Sequence, residues 1–195
     1  MLSRTLLSLG TGAVVLFWVS TIICGYIHGH YNHGRDTISE LGALGSRSQY
    51  LFSWLLSFVA LMGLGFSWGL LRVCRLTKMS PIPIVPIVVF FLANVGIAFY
   101  SLGDPMHPVV GQISEIIMLG PILVLVFWRG PANFGLRMFS MVALAFFILS
   151  LLLLLSGWLP DSYVQSHSGL LQRIFHAGWS FWLISLNISF NQKLK

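Results

Sequence analysis

Asp104-Pro-Met-His-Pro-Val-Val-Gly-Gln-Ile-Ser-Glu115 is a short polar turn set between two long apolar runs. Its reading decides the fold. A turn of this kind between runs of roughly twenty apolar residues reads as a hairpin between two membrane helices. It also carries Asp104, His107 and Glu115. Ionisable groups near or inside a bilayer are costly, so such a cluster marks a candidate site.

Working outward, the pattern repeats. Apolar runs extend over about Leu6–Ile27, Tyr50–Cys74, Ile82–Leu102, Pro108–Trp128, Met138–Trp158 and Leu170–Phe190. Breakers separate them: Ser80-Pro81, Gly103-Asp104-Pro105, Arg129-Gly130-Pro131 and Leu159-Pro160-Asp161. The 195 residues are 56% hydrophobic and 8% charged, with mean hydropathy +0.86, which is outside the range of a soluble domain. Backbone groups in hydrocarbon must be satisfied within the segment, so each run reads as a helix. The expectation is an all-α, single-domain bundle, residues 1–195, of six transmembrane helices. The first run is too long for a signal peptide, and no small-x-small cleavage site precedes His28.

Eight of the 11 Lys and Arg residues fall at one set of helix ends (Arg4, Arg72, Arg75, Lys78, Arg129, Arg137, Lys193, Lys195), and Arg35, Arg47 and Arg173 at the other. The positive-inside rule then makes both termini cytoplasmic. This orientation also sorts groups that the rule does not use. All 5 acids and all 6 histidines fall in or near the outward loops. A site is therefore expected at the outer face of a bacterial inner membrane, facing the periplasm. The net charge of +6 is spread over short loops and forms no stripe, which excludes nucleic acid as a partner. Cys24 and Cys74 fall near opposite faces and are not expected to pair.

The first outward loop contains Thr37-x-x-Glu40, the spacing of a capping box, with Ile38, Leu41 and Leu44 following on one face and Gly45 closing the element. This predicts a short interfacial helix between the first two spans. Arg35, Asp36, Ser39 and Glu40 belong either to its local geometry or to a substrate-binding site. His28, His30 and His33 match no zinc spacing and suit the headgroup layer.

In the central turn, Asp104-Pro105 is also a helix-start signal. Glu115 is not explained that way. His107, Gly111 and Glu115 are spaced by four, so they stack on one helix face, and a helix beginning near His107 puts Glu115 roughly 12 Å deeper. Glu115, His107, His176 and Asp104 are the candidate acid–base residues. The bland alternative pairs Glu115 with Arg173 or His176 to hold helices together. Asp104, His107 and His176 are also candidate ligands for a divalent metal such as zinc. In the last run Gln172 and Arg173 are candidate substrate-binding residues. Arg173 could hold a phosphate or carboxylate, or lie along an ordinary helix end. Asn94 and Asn187 fall near mid-membrane and are expected to make inter-helix amide bonds.

The segments RDTISELGALGSR from Arg35, DPMHPVVGQ from Asp104 and GLLQR from Gly169, with a Trp following, resemble a bacterial six-span membrane family, the domain of unknown function numbered nine hundred and ninety-eight. The resemblance covers most of the chain. It implies the six-span architecture and adds weight to Arg35, Asp36, Ser39, Glu40, Asp104, His107 and Arg173. It implies no activity. The residues themselves support a hydrolase or transferase acting on membrane lipids or lipid-linked headgroups, with Arg35 and Arg173 holding an anionic group. A proton-coupled permease and a binding or assembly subunit are the alternatives.

Overall fold

The computed structural model describes residues 2–155 and 159–194. The expected end of the fifth run at Trp158, and Lys195 among the basic residues, lie outside them. The described residues fold into helices α1 (Leu2–His28), α2 (Gln49–Leu76), α3 (Val85–Phe99), α4 (His107–Ser114), α5 (Leu119–Phe127), α6 (Phe134–Leu155) and α7 (Asp161–Gln192). No strand occurs among them.

Helices α4 and α5 are one membrane-length stretch, His107–Phe127, interrupted by a 3-10 turn at Glu115–Met118. Pro121 explains the interruption. Its ring would strike the carbonyl four residues back, and it has no N–H to donate. The helix therefore tightens ahead of it and restarts at Leu119, where a proline in the first turn is harmless.

Among the described residues five helical stretches have the length and hydropathy to cross a bilayer: Leu2–His28, Gln49–Leu76, Ile82–Phe99, His107–Phe127 and Pro131–Leu153. The exception is α7, which has 32 residues but is studded with Ser, Asn, Gln, His and Arg. Some of its polar side chains reach other helices. Asn187 Nδ2 donates to Thr11 Oγ1 at 2.7 Å and Trp182 Nε1 to Ser140 Oγ at 3.1 Å. Ser180 and Ser185 are buried.

Chain neighbours pack antiparallel, α1 on α2, α2 on α3, α3 on α4, α5 on α6 and α6 on α7, and α7 returns to pack on α1. The result is a closed ring in chain order. At one end lie the turns 29–48 and 100–106 and the start of α7, joined by backbone bonds from Leu44 N to Leu102 O and from Gly169 N to Arg35 O, both 2.9 Å. At the other end Arg4 reaches Leu194 O, Trp128 Nε1 donates to Ser80 O at 2.7 Å, and Lys193 Nζ donates to Asn133 Oδ1.

Between lipid-embedded helices there is little hydrophobic driving force, so close packing carries the association. The core is filled with aromatic rings. Trp128, Trp179, Trp182, Phe66, Phe91 and Phe190 are fully buried. Gly120 makes room for the Trp182 ring, since a Cβ there would collide with it. Cys24 and Cys74 are buried and free.

Trp182→Ala should open a core cavity and cost about 3–5 kcal/mol. Trp54→Ala, on the outer surface, should cost far less. Unfolding midpoints of the two variants in the same detergent measure the difference.

Candidate functional site

At the end of the ring that carries the 29–48 turn, the helices enclose a cavity of about 260 Å³. His107, Gly111 and Glu115 all line it, as their four-residue spacing predicts, and His176, Gln172 and Ser39 join them from α7 and from the 29–48 turn. Its floor is aromatic. Phe17 and Phe90 line it, and the Trp179 ring packs beneath both, with centroids 5.0 and 5.3 Å away.

The two histidines are held in opposite tautomers. His107 is buried, and its Nδ1 lies 2.7 Å from Tyr100 O. A carbonyl only accepts, so Nδ1 carries the proton and Nε2 the free lone pair. His176 Nδ1 accepts a 2.8 Å bond from Trp179 Nε1. An indole only donates, so the proton of a neutral His176 sits on Nε2. One ring offers the cavity an acceptor, the other a donor. Glu115 lines the same cavity and has no hydrogen-bond or ion-pair partner among the described residues. The structural pair of Glu115 with Arg173 or His176 is therefore not formed.

Asn94 also lines the cavity. Its Nδ2 donates to Phe90 O of its own helix at 2.8 Å. The inter-helix amide bond expected there is made by Asn187 alone, because the side chain of Asn94 turns along α3 and leaves its carbonyl oxygen to the cavity.

Four of the expected binding residues, Arg35, Asp36, Glu40 and Arg173, do other work. Arg173 is a clamp. Its Nη1 donates to Asp36 O (3.0 Å) and Gly169 O (2.8 Å), and its Nη2 to Tyr31 Oη (2.6 Å) and His33 Nδ1 (3.1 Å). Gly169 makes this approach possible, because a Cβ would collide with the Asp36 carbonyl. Arg35 forms a bidentate pair with Asp36, whose carboxylate also accepts from Asn32 N at 2.7 Å. The hydrogen bonds from Arg35 hold the Asp36 carboxyl below the usual carboxylate range. Neither arginine lines the cavity, so an anionic ligand held there by Arg35 and Arg173 is corrected.

Glu40 reaches back to Thr37 N at 3.0 Å, the reciprocal half of the capping box, and the Thr37 hydroxyl donates to the same oxygen. The element it starts is a 3-10 turn, Ile38–Gly42, with Ile38 and Leu41 packed into the core and Leu44 exposed. This turn roofs the cavity, to which Ile38, Ser39 and Gly42 contribute. Gln172 fixes it by accepting from Ile38 N at 2.6 Å.

Asp104 caps its turn through Met106 N at 2.8 Å and lies outside the cavity. Among the described residues no three His, Cys, Asp or Glu side chains are grouped to hold a metal ion. The proposed ligand set Asp104, His107 and His176 is corrected, because the capping bond keeps Asp104 in its own turn.

Sequence spacing missed Gly169, Tyr31 and the aromatic floor. The signal for Gly169 was present only as a small residue one turn before an arginine.

His33 accepts from Arg173, which requires neutral Nδ1. Burial and the neighbouring Arg173 charge hold its pKa below the usual imidazole value. The folded state thus resists protonation. The clamp's contribution is complete above about pH 6.5 and is lost as pH falls below that, through the lower folded value. Amide exchange in residues 32–37 should accelerate several-fold more than in α2 between pH 7.5 and 5. His33→Asn should flatten that difference.

Residues 11–188 match the family model described as "Protein of unknown function (DUF998)". No curated protein and no solved structure matches the chain. With the match spanning nearly the whole ring of helices, the chain belongs to that family of proteins of unknown function.

Proposed function

We propose that this is a six-crossing membrane enzyme with both termini cytoplasmic and its cavity toward the outer leaflet of a bacterial inner membrane. In this reading α7 is the sixth crossing, its polar residues satisfied inside the ring, and the 3-10 turn Ile38–Gly42 lies at the interface. The basic helix ends support the orientation. The reaction is hydrolysis or group transfer on a lipid or lipid-linked headgroup.

The observation that carries this reading is the opposed pair of histidine tautomers facing one cavity. His107 Nε2 accepts the proton of an attacking hydroxyl, from water in hydrolysis or an acceptor lipid in transfer, as its oxygen bonds to the electrophilic carbon. The His176 Nε2–H donates a hydrogen bond to the oxygen on which negative charge develops, and keeps its proton. The His107 imidazolium then returns its proton to the departing oxygen. Ser39 and Gln172 position the ligand from the roof side. Glu115 faces the ligand rather than the protein.

A permease needs polar groups through the full thickness. The aromatic floor of Phe17, Phe90 and Trp179 separates the cavity from the other end of the ring, which weighs against transport.

Reconstituted in vesicles of total bacterial lipid, the protein should deplete one lipid species over time, followed by mass spectrometry. His107→Gln should slow this by about 10²–10⁴, and His176→Phe by about 10²–10³. Unchanged lipid composition with the intact protein would remove the enzyme reading.

A further inference from the structure

The cavity is closed above, below and on most sides, and open on one. The roof is Ile38–Gly42 and the floor is aromatic. On the ring, α4 packs on α3, while the contact with α6 is taken up lower down by α5. The cavity therefore runs out to the side of the bundle between α4 and α6. Three residues mark the opening. Glu115 lines the cavity yet is exposed, Leu151 is half-buried on α6, and a Cβ added to Gly111 would meet nothing within 4 Å. At this depth the opening faces lipid chains rather than water, given the six-crossing reading.

The electrostatics narrow the occupant. Among the described residues Glu115 is the one acidic group lining the cavity, and no Lys or Arg lines it. A carboxylate brought to hydrocarbon depth stays ionised only against a counter-charge. The chain supplies none among its described residues. The remaining wall is largely apolar, with Phe52, Leu56 and Phe175. The volume of about 260 Å³ lies just below the usual range for pockets that hold a drug-sized ligand. It suits a small head and a few carbons, with the rest of a chain left outside.

We infer that the cavity binds a single-chain cationic amphiphile, a long-chain primary amine, entering sideways between α4 and α6. Its ammonium sits on Glu115 and its tail trails into the bilayer. This goes beyond the lipid-enzyme reading, because a plain amine has no electrophilic carbon or departing oxygen and occupies the cavity as a ligand, and it rests on that reading only for the depth of the opening.

The test uses the full chain in nanodiscs of zwitterionic lipid and a long-chain amine with a diazirine in its tail. After illumination the labelled positions are mapped by mass spectrometry. Labelling should concentrate on the α4 and α6 segments that flank Gly111 and Leu151. Unlabelled dodecylamine should compete at least ten-fold better than dodecanol or dodecyl phosphate. Glu115→Gln should cut labelling at least ten-fold. Gly111→Leu, at a position where an added Cβ meets nothing within 4 Å, should block it while the protein keeps its helical circular dichroism and elution volume. Should Glu115→Gln misfold, the competition series and Gly111→Leu decide the matter.

Equal competition by the alcohol or the phosphate would overturn the inference. So would labelling spread evenly over outer positions such as Trp54 and Phe58, or undiminished labelling of a folded Glu115→Gln protein. Labelling needs no turnover. Site-specific labelling with no lipid conversion would leave the amine site standing and remove the enzyme reading, whereas conversion without amine competition would remove the amine site alone.

Discussion

The ring closes where α1 meets α7, and the cavity depends on that seam. Every other pair of ring neighbours is covalently joined through a turn or a shared segment. The first and last helices have only side chains to hold them. In a bilayer the apolar surfaces of two helices are no happier against each other than against lipid, so the seam needs shape and polar contacts. It has both. Trp18 Nε1 donates to Ser180 Oγ at 3.0 Å, Asn187 Nδ2 donates to Thr11 Oγ1, and Phe17 packs against His176 and Trp179 with centroids 4.9 and 5.0 Å away. The same rings that close the bundle floor the cavity. The indole that meets Phe17 edge to face also fixes the His176 tautomer. Closure of the fold and orientation of a site residue are thus one set of contacts.

That coupling marks how far a sequence can be read. Apolar runs and their breakers report local preferences, so the helices and their order were legible. So was the stacking of His107, Gly111 and Glu115, because helical spacing alone sets it. The polar character of α7 was harder to weigh. Its Ser, Asn and His lower its hydropathy, and the residues that meet Ser180, Trp182 and Asn187, which are Trp18, Ser140 and Thr11, lie on α1 and α6, far away in the chain. Arg173 shows the limit. Spacing puts it on a face with His176 and Ser180. The structure turns it instead to the 31–37 segment, because Gly169 lets that backbone come within bonding range. Which way an arginine turns depends on what arrives from elsewhere, and no local pattern records it. Asn94 fails for the same reason, since its nearest acceptor is its own helix.

The two arginines expected to bind an anion are both used up in building the roof. Arg35 neutralises Asp36, and Arg173 spends its donors on two carbonyls, a phenol and an imidazole. The desolvation cost of a cation near the membrane is met by these bonds. The roof is ordered by charge, while the space beneath is lined by neutral donors and acceptors and a single carboxyl group. This division inverts the expectation from composition, in which the charged residues of the outward loops would themselves form the binding surface.

Helix α7 carries both parts. Gln172 and Arg173 tie the roof, and His176, one turn deeper, faces the cavity. The roof is attached to α7 by side chains and by backbone bonds confined to its first turns, at Gly169 and Leu170. His176 is attached through Trp179, in the packed floor. The roof can therefore shift without turning the imidazole, since the bonds that would break lie above His176 and those that orient it lie below. A helix that continues through both layers lets the roof move while His176 stays fixed by the core. That hold comes from the floor, where Trp179 is buried and packs on Phe17 and Phe90.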